Sequence, residues 1–267
     1  MNPFRLLGLE WSKFFPSATF RVFIVLYASF FSLLVILARS MGKNMTMNTN
    51  GEMTHPLEGI FDYPNNWELL ANIGSWMNLF VLGTLGVFMI TMEFSNKTLR
   101  QSVIFGMTRL EVAVSKLLWA AALALGATGF YILLAFGGET LDGGLGLPPI
   151  GCVVGFFVQA MGFLFLGNLV GLLIRQTALA VLAYLAYVIF LETVCSSIFY
   201  YSVAKTRLLL FLPDHVLGAL TPMPLPKSVG EMISSHPLTL TEAVGAALVY
   251  LALFGLFFCR RIIKADL

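Results

Sequence analysis

Charged residues are scarce in this chain. Only 11% of its 267 residues are Asp, Glu, Lys or Arg, and 58% are hydrophobic, whereas a soluble domain carries about 25% charged residues because its surface faces water. The mean hydropathy is +0.85. The net charge of +2 gives no support for a nucleic-acid partner. This composition excludes an ordinary soluble domain and indicates an integral membrane protein.

Cysteines, catalytic motifs and nucleotide-binding motifs are also few or absent. The three cysteines lie in separate apolar stretches without CxxC spacing, so they indicate neither a disulfide framework nor a zinc site. The three histidines are far apart and lack metal-ligand spacing. No GxSxG nucleophile motif occurs, and no GxxxxGK[ST] loop is present to hold nucleotide phosphates. The chain is therefore not expected to be an enzyme by itself or to hold a cofactor or metal.

Long apolar runs dominate the rest of the sequence. A helix that crosses the hydrocarbon core needs roughly 17–25 mostly apolar residues, and its backbone hydrogen bonds must be satisfied within the segment. Six segments meet this requirement, at about 20–38, 73–92, 112–136, 150–174, 178–198 and 241–259. The sequence predicts an all-α membrane protein with one transmembrane domain, 1–267, and six transmembrane helices.

The distribution of Lys and Arg predicts the orientation of these spans. With a cytoplasmic N-terminus, eleven basic residues fall on the inner side: Arg5, Lys13, Arg21, Lys97, Arg100, Arg109, Lys116, Arg175, Arg260, Arg261 and Lys264. Five fall on the outer side: Arg39, Lys43, Lys205, Arg207 and Lys227. We therefore expect a multi-pass protein of the cell membrane (the inner membrane or plasma membrane), with both termini in the cytoplasm.

Two segments outside the spans have recognisable patterns. Residues 3–16 place large apolar side chains on one helical face and polar ones on the other, which is typical of an amphipathic helix lying in the membrane interface. The outer segment 199–240 contains an apolar stretch that Pro213 interrupts. Such a stretch is too short to cross the bilayer. It is consistent with re-entrant outer helices or with an amphipathic cap on the outer surface.

The loop between the second and third spans, about 93–110, carries the most informative motif. Glu93, Thr98, Arg100, Arg109 and Lys116 follow a pattern that resembles the membrane subunits of ABC-2 type (type V) ABC transporters. That family usually has Gly before the threonine, where this chain has Lys97. The interfacial helix with Glu10 and Lys13, the six spans and the basic C-terminus are similar to the family as well.

The resemblance implies a function. In such exporters the loop forms a cytoplasmic coupling helix that sits in a cleft of a separate ATPase subunit, which binds ATP and Mg. It implies a second permease copy, or a related chain, and a translocation path formed by spans one, two and five. The residues expected to contact the ATPase subunit or support that contact are Glu93, Lys97, Thr98, Arg100, Gln101, Phe105 and Arg109, with Val103 and Ile104 contributing to an apolar anchor. The alternative is a basic loop that only fixes topology.

Other interpretations stay open at this point. Glu192 is the only acidic residue well inside a predicted span, so it lines the path or hydrogen-bonds within the bundle. The outer segment 41–55 holds four methionines and His55, and thioethers suit Cu(I). Gly151 and Gly155, and Gly167 and Gly171, have the spacing of close helix packing. A membrane-embedded hydrolase or transferase, and a structural or signalling subunit, are the alternative functions.

Overall fold

The computed structural model describes residues 3–44, 47–49, 52–54, 63–141, 146–191, 194, 211–224 and 238–264. Within these ranges the chain is helical apart from one short hairpin. The helices are α1 (Pro3–Phe14), α2 (Ala18–Asn44), α3 (Asn65–Met77), α4 (Gly83–Ser95), α5 (Thr98–Ile104), α6 (Arg109–Leu141), α7 (Ile150–Ile174), α8 (Thr177–Ala186), α9 (Pro213–Gly218) and α10 (Leu240–Lys264). A π-helical turn, Asn78–Leu82, joins α3 to α4, and another, Tyr187–Leu191, extends α8.

Five helices in the described ranges are long and apolar enough to cross a membrane: Ala18–Ser40, Asn65–Ser95, Arg109–Thr140, Ile150–Ile174 and Leu240–Lys264. At 1.5 Å per residue these helices are roughly 35–48 Å long. The chain is therefore a helical protein of multi-pass membrane architecture. The predicted span 178–198 corresponds to the shorter apolar helix Thr177–Leu191, and most of the residues that follow it lie outside the described ranges.

The observed helices extend beyond the predicted spans because charged and polar residues continue several of them. The second span begins at Asn65 instead of about 73 and ends at Ser95, so Glu93 belongs to a helix. The interfacial segment predicted over 3–16 is helical over Pro3–Phe14, and Pro16 follows it. Of the outer segment 199–240, only 211–224 and 238–240 are described, and they contain α9.

Local capping signals fix where several helices begin. Ser17 precedes α2 and its Oγ accepts a hydrogen bond from the backbone N–H of Phe20 at 3.2 Å. Thr108 and Glu111 form a reciprocal capping box at the start of α6, with the Thr108 N–H donating to Glu111 Oε2 at 2.9 Å and the Glu111 N–H donating to Thr108 Oγ1 at 3.2 Å. Each of these bonds satisfies a backbone donor that the first turn of a helix leaves unpaired.

Glycines of α7 allow it to pack directly against α4. A Cβ added at Gly171 would lie 2.9 Å from the Val87 carbonyl oxygen, and one at Gly167 would overlap the backbone of Gly83. A Cβ at Gly155 would lie 2.6 Å from the Leu220 carbonyl oxygen, whereas Gly151 has only a distant leucine methyl nearby. The small-residue spacing in α7 therefore does mark close packing, and the partners are α4 and the segment after α9.

A core of aromatic side chains lies among α2, α3, α6 and α7. Phe31, Trp67, Tyr131 and Phe156 are all fully buried. The rings of Tyr131 and Phe156 stack with centroids 4.6 Å apart, and Trp67 meets Tyr131 edge-on at 5.9 Å. The Tyr131 hydroxyl donates to the Trp67 carbonyl oxygen at 2.9 Å. This core fixes the relative positions of the four helices.

The hairpin was not predicted. Met47–Thr49 and Glu52–Thr54 pair antiparallel, with Thr49 opposite Glu52. The two intervening residues in the sequence are Asn50 and Gly51, a dipeptide that strongly favours a two-residue hairpin loop. That signal was available in the sequence of the methionine-rich segment.

Candidate functional site

Two abrupt changes of backbone direction define the short helix α5. Lys97, immediately before it, has φ 57° in the left-handed region, and Gly106, after it, has φ 93°. The Thr98 hydroxyl donates to the Glu93 carbonyl oxygen at 3.4 Å and so ties the start of α5 to the end of α4. The seven residues of α5 therefore form a separate helix between two long ones.

One side of α5 is packed against the bundle and the other is free of it. Leu99 and Ser102 are buried, whereas Arg100 and Gln101 are exposed. At its end, Ile104 is 74% exposed and Phe105 is 86% exposed. Two large apolar side chains therefore project beside a guanidinium and an amide group. We call Arg100, Gln101, Ile104 and Phe105 the α5 tip.

A buried charge cluster lies beneath this helix, where α1, α4 and α6 meet. Lys116 is fully buried and its Nζ lies 2.5 Å from Glu10 Oε2. The same ammonium forms an ion pair with Glu93. Lys13 Nζ lies 3.7 Å from Glu10 Oε1 and 3.8 Å from Glu93 Oε1, and the Ser115 hydroxyl donates to Glu10 at 3.1 Å. Two carboxylates thus face two ammonium groups, and the cluster is formally neutral.

Lys13 connects the charge cluster to α5. Its Nζ donates to Ser102 Oγ at 3.2 Å, and the Ser102 hydroxyl donates to the Thr98 carbonyl oxygen at 2.9 Å. Lys116 also lies over the Phe14 ring, 5.3 Å from its centroid. The helices α1, α4, α5 and α6 are therefore held together by charged and polar contacts.

The predicted contact residues fall into two groups. Lys97, Arg100, Gln101 and Phe105 are exposed on or beside α5. Thr98 is half-buried, and Glu93 is buried in the charge cluster, so those two support the loop and do not present a contact.

Arg109 is exposed but is already engaged within the chain. Its Nη1 donates to the carbonyl oxygen of Ile263 at 2.8 Å, which joins the start of α6 to the end of α10. Glu192 and His55 lie outside the described residues, as do the side chains of 41–54. Within the described ranges, no three His, Cys, Asp or Glu side chains are grouped to hold a metal ion.

The sequence motif contained the members of the charge cluster but not their pairing. Glu10, Lys13 and Lys116 were picked out only through the family pattern. A signal for pairing was present, because Glu10 is the single acidic residue in 3–16 and Lys116 lies eight residues inside α6. Ionisable residues within apolar helices are expected to pair with one another.

A second feature lies near α9. A cavity of about 570 Å³ is lined by both π-helical turns, through Leu79 and Phe80 of the first and Val188 and Ile189 of the second. Polar groups from α3 and α9 also reach it, namely Asn72, Ser75, Asp214 and His215. π-Helical turns occur often at functional sites. An amphipathic cavity between the second span and the helix after α7 is therefore a candidate ligand pocket.

Amide hydrogen bonds hold the wall of this cavity. Gln159 Nε2 lies 2.7 Å from Ser75 Oγ, 3.0 Å from the Leu217 carbonyl oxygen and 3.0 Å from Thr221 Oγ1, so its two N–H groups are shared among three acceptors. Asn72 Nδ2 donates to the Thr221 carbonyl oxygen at 2.9 Å. The segment 213–221 is therefore anchored among α3 and α7 by polar contacts.

Comparisons with known proteins give no assignment: no protein-family model matches the chain, and a search of the curated proteins finds no match.

Proposed function

We propose that this chain is the transmembrane permease subunit of an ATP-driven ABC exporter of the ABC-2 type. In this proposal α5 is the coupling helix and a separate ATPase subunit binds it from the cytoplasm. The helix Thr177–Leu191 belongs to a sixth span that continues to about residue 198. Both termini then lie in the cytoplasm of a cell in whose inner or plasma membrane the chain resides.

The observation that carries the proposal is the α5 tip. Ile104 and Phe105 are among the most exposed large apolar side chains described, yet they end a helix that the charge cluster holds against two long helices. An apolar pair next to Arg100 and Gln101 suits a water-facing protein partner better than lipid. The support beneath α5 suits a helix that transmits force, because Lys13 connects it to both carboxylates of the charge cluster.

The backbone at Lys97 adds support. The ABC-2 pattern has glycine at this position, and here the residue adopts φ 57°, a conformation that glycine adopts without the steric cost borne by other residues. A left-handed turn before α5 is thus consistent with the resemblance at the one position where the residue type departs from it.

The cavity near α9 suits the remaining part of the proposal. It lies between the second span, the helix Thr177–Leu191 and α9, and the resemblance assigns the path to spans one, two and five. In the exporter, two copies of this chain, or this chain with a related one, enclose the path. Glu192, which directly follows the second π-helical turn in the sequence, lines the path in this proposal.

The test is purification of the chain from its native cell and assay of ATP hydrolysis by the complex. We expect a stoichiometric ATPase subunit. Phe105→Asp should weaken its association roughly 10- to 150-fold, because a buried Phe contributes about 1.5–3 kcal/mol. Met223→Asp is the matched control, since Met223 is an exposed apolar residue beyond α9.

Two outcomes would contradict the proposal. If Phe105→Asp and Met223→Asp form equally active complexes, α5 does not couple to the ATPase subunit. If the purified chain catalyses a hydrolysis or transfer reaction with no ATPase subunit present, the alternative of a membrane-embedded enzyme is favoured.

A further inference from the structure

A second cavity of about 570 Å³ lies between α1, α2 and α6. Its lining is almost entirely apolar and includes Leu7, Trp11, Ile24, Tyr27, Trp119 and Gly126. We call it the α1 groove. None of its lining residues belongs to the charge cluster or to the α5 tip, so it requires an explanation of its own.

Two glycines keep the α1 groove open. A Cβ added at Gly8 or at Gly126 would meet no atom within 4 Å, so these positions border empty space and are not sites of close helix contact. Both therefore differ from Gly167 and Gly171, which allow backbones to touch. A groove of about 570 Å³ beside an amphipathic helix has room for a hydrocarbon chain.

One polar group in the wall lacks a partner. Trp119 is only 3% exposed, and its indole Nε1–H has no hydrogen-bond acceptor among the described residues. Leaving a buried donor unpaired costs about 1–3 kcal/mol. An occupant that places one acceptor oxygen beside an otherwise apolar body would remove this cost.

A cation follows Phe20, a residue of α2 whose ring lies near Trp119. The rings of Phe20 and Trp119 are 6.1 Å apart, and Arg21 follows Phe20 in the first turns of α2. Arg21 is exposed, with Nη2 3.5 Å from the Pro16 carbonyl oxygen. It lies about one turn before Ile24, a lining residue of the groove, and itself lines the neighbouring surface of α2 together with Val22 and Val25. A guanidinium at this position suits a phosphate.

We propose that the α1 groove binds one phospholipid of the surrounding bilayer. Its acyl chain lies along Gly8 and Gly126, an ester carbonyl oxygen accepts the Trp119 Nε1–H, and the phosphate lies beside Arg21. The lipid thereby fills the space between α1 and the long helices α2 and α6. This site depends on the membrane location of the chain and not on coupling to an ATPase.

The test uses a phospholipid with a photoactivatable diazirine in its acyl chain, followed by mapping of the labelled peptides. In native-like membranes we expect label on α1 and on α6 around Gly126. Gly126→Phe should reduce this label at least tenfold by filling the groove. Gly137→Phe is the matched control: Gly137 is on the same helix, a Cβ there also meets no atom within 4 Å, and it does not line the groove.

Native mass spectrometry of the purified protein gives a second readout. The unaltered chain should retain one phospholipid that Gly126→Phe loses and Gly137→Phe keeps, and Trp119→Phe should lower retention while preserving an aromatic wall. Unchanged labelling in Gly126→Phe overturns the proposal. So does a native mass spectrum in which the unaltered chain retains no phospholipid.

Discussion

Replacing Lys116 with methionine tests the charge cluster directly. Methionine keeps the unbranched apolar stem but removes the fully buried ammonium that contacts both Glu10 and Glu93. The two carboxylates then share one remaining cation, Lys13, at 3.7 and 3.8 Å. The cluster changes from two negative and two positive groups to two negative and one positive.

The expected loss of stability is large. Removing one partner of a buried ion pair costs about 3–5 kcal/mol because the other charge stays buried without compensation. That is a substantial part of a total stability of about 5–15 kcal/mol. We expect Lys116→Met to lower the free energy of unfolding by about 3–5 kcal/mol, measured by SDS titration in mixed micelles. Lys264→Met, which removes an exposed lysine of α10, should change it by less than about 1 kcal/mol.

A double variant distinguishes charge imbalance from lost packing. Adding Glu93→Gln to Lys116→Met leaves Glu10 and Lys13 as a balanced pair, so we expect recovery of about 1–3 kcal/mol relative to Lys116→Met alone. Two results would refute the reasoning. One is a loss below about 1 kcal/mol in Lys116→Met, the size typical of exposed pairs. The other is a double variant that is no more stable than the single one.

Three further predictions concern the backbone and the polar contacts. Lys97→Gly should raise the free energy of unfolding by about 1 kcal/mol because Lys97 has a positive φ, and equal stability of the two proteins would contradict this. Gly171→Val should reduce the yield of folded protein, since its Cβ would approach the Val87 carbonyl, whereas Gly151→Val should not; equal yields would contradict the α4–α7 packing. Gln159→Leu should destabilise by about 1 kcal/mol through loss of its hydrogen bonds to Ser75, Leu217 and Thr221, and an unchanged SDS-unfolding midpoint would contradict this.

The apolar runs predicted most of the helical architecture because each membrane-spanning segment must be apolar and must satisfy its own backbone hydrogen bonds. Helix ends were harder to predict. Glu93 is charged, so it appeared to lie just beyond a span that ended at about 92, whereas Lys116 already lay inside the predicted span 112–136. In the structure both lie inside helices, and their charges pair across the bundle. A prediction made from one segment at a time cannot include an ion pair between two segments.

The contacts of the charge cluster join residues that are far apart in the sequence, so residue type alone does not predict them. Glu10 and Lys116 are 106 residues apart, and they are in contact because α1 packs against α6. The two π-helical turns had no sequence signal that was recognised. Exposure of the α5 tip was better predicted, since its basic and apolar residues were contiguous and α5 is too short to bury all of them.

The most direct test of the central claim places a photo-cross-linking amino acid at position 105 in the intact membrane. We expect a covalent adduct between the amino acid at position 105 and an ATPase subunit, and no such adduct when the amino acid is placed at position 223. An adduct with lipid alone, or no adduct in a membrane where the chain is folded, would contradict the assignment of α5 as the coupling helix.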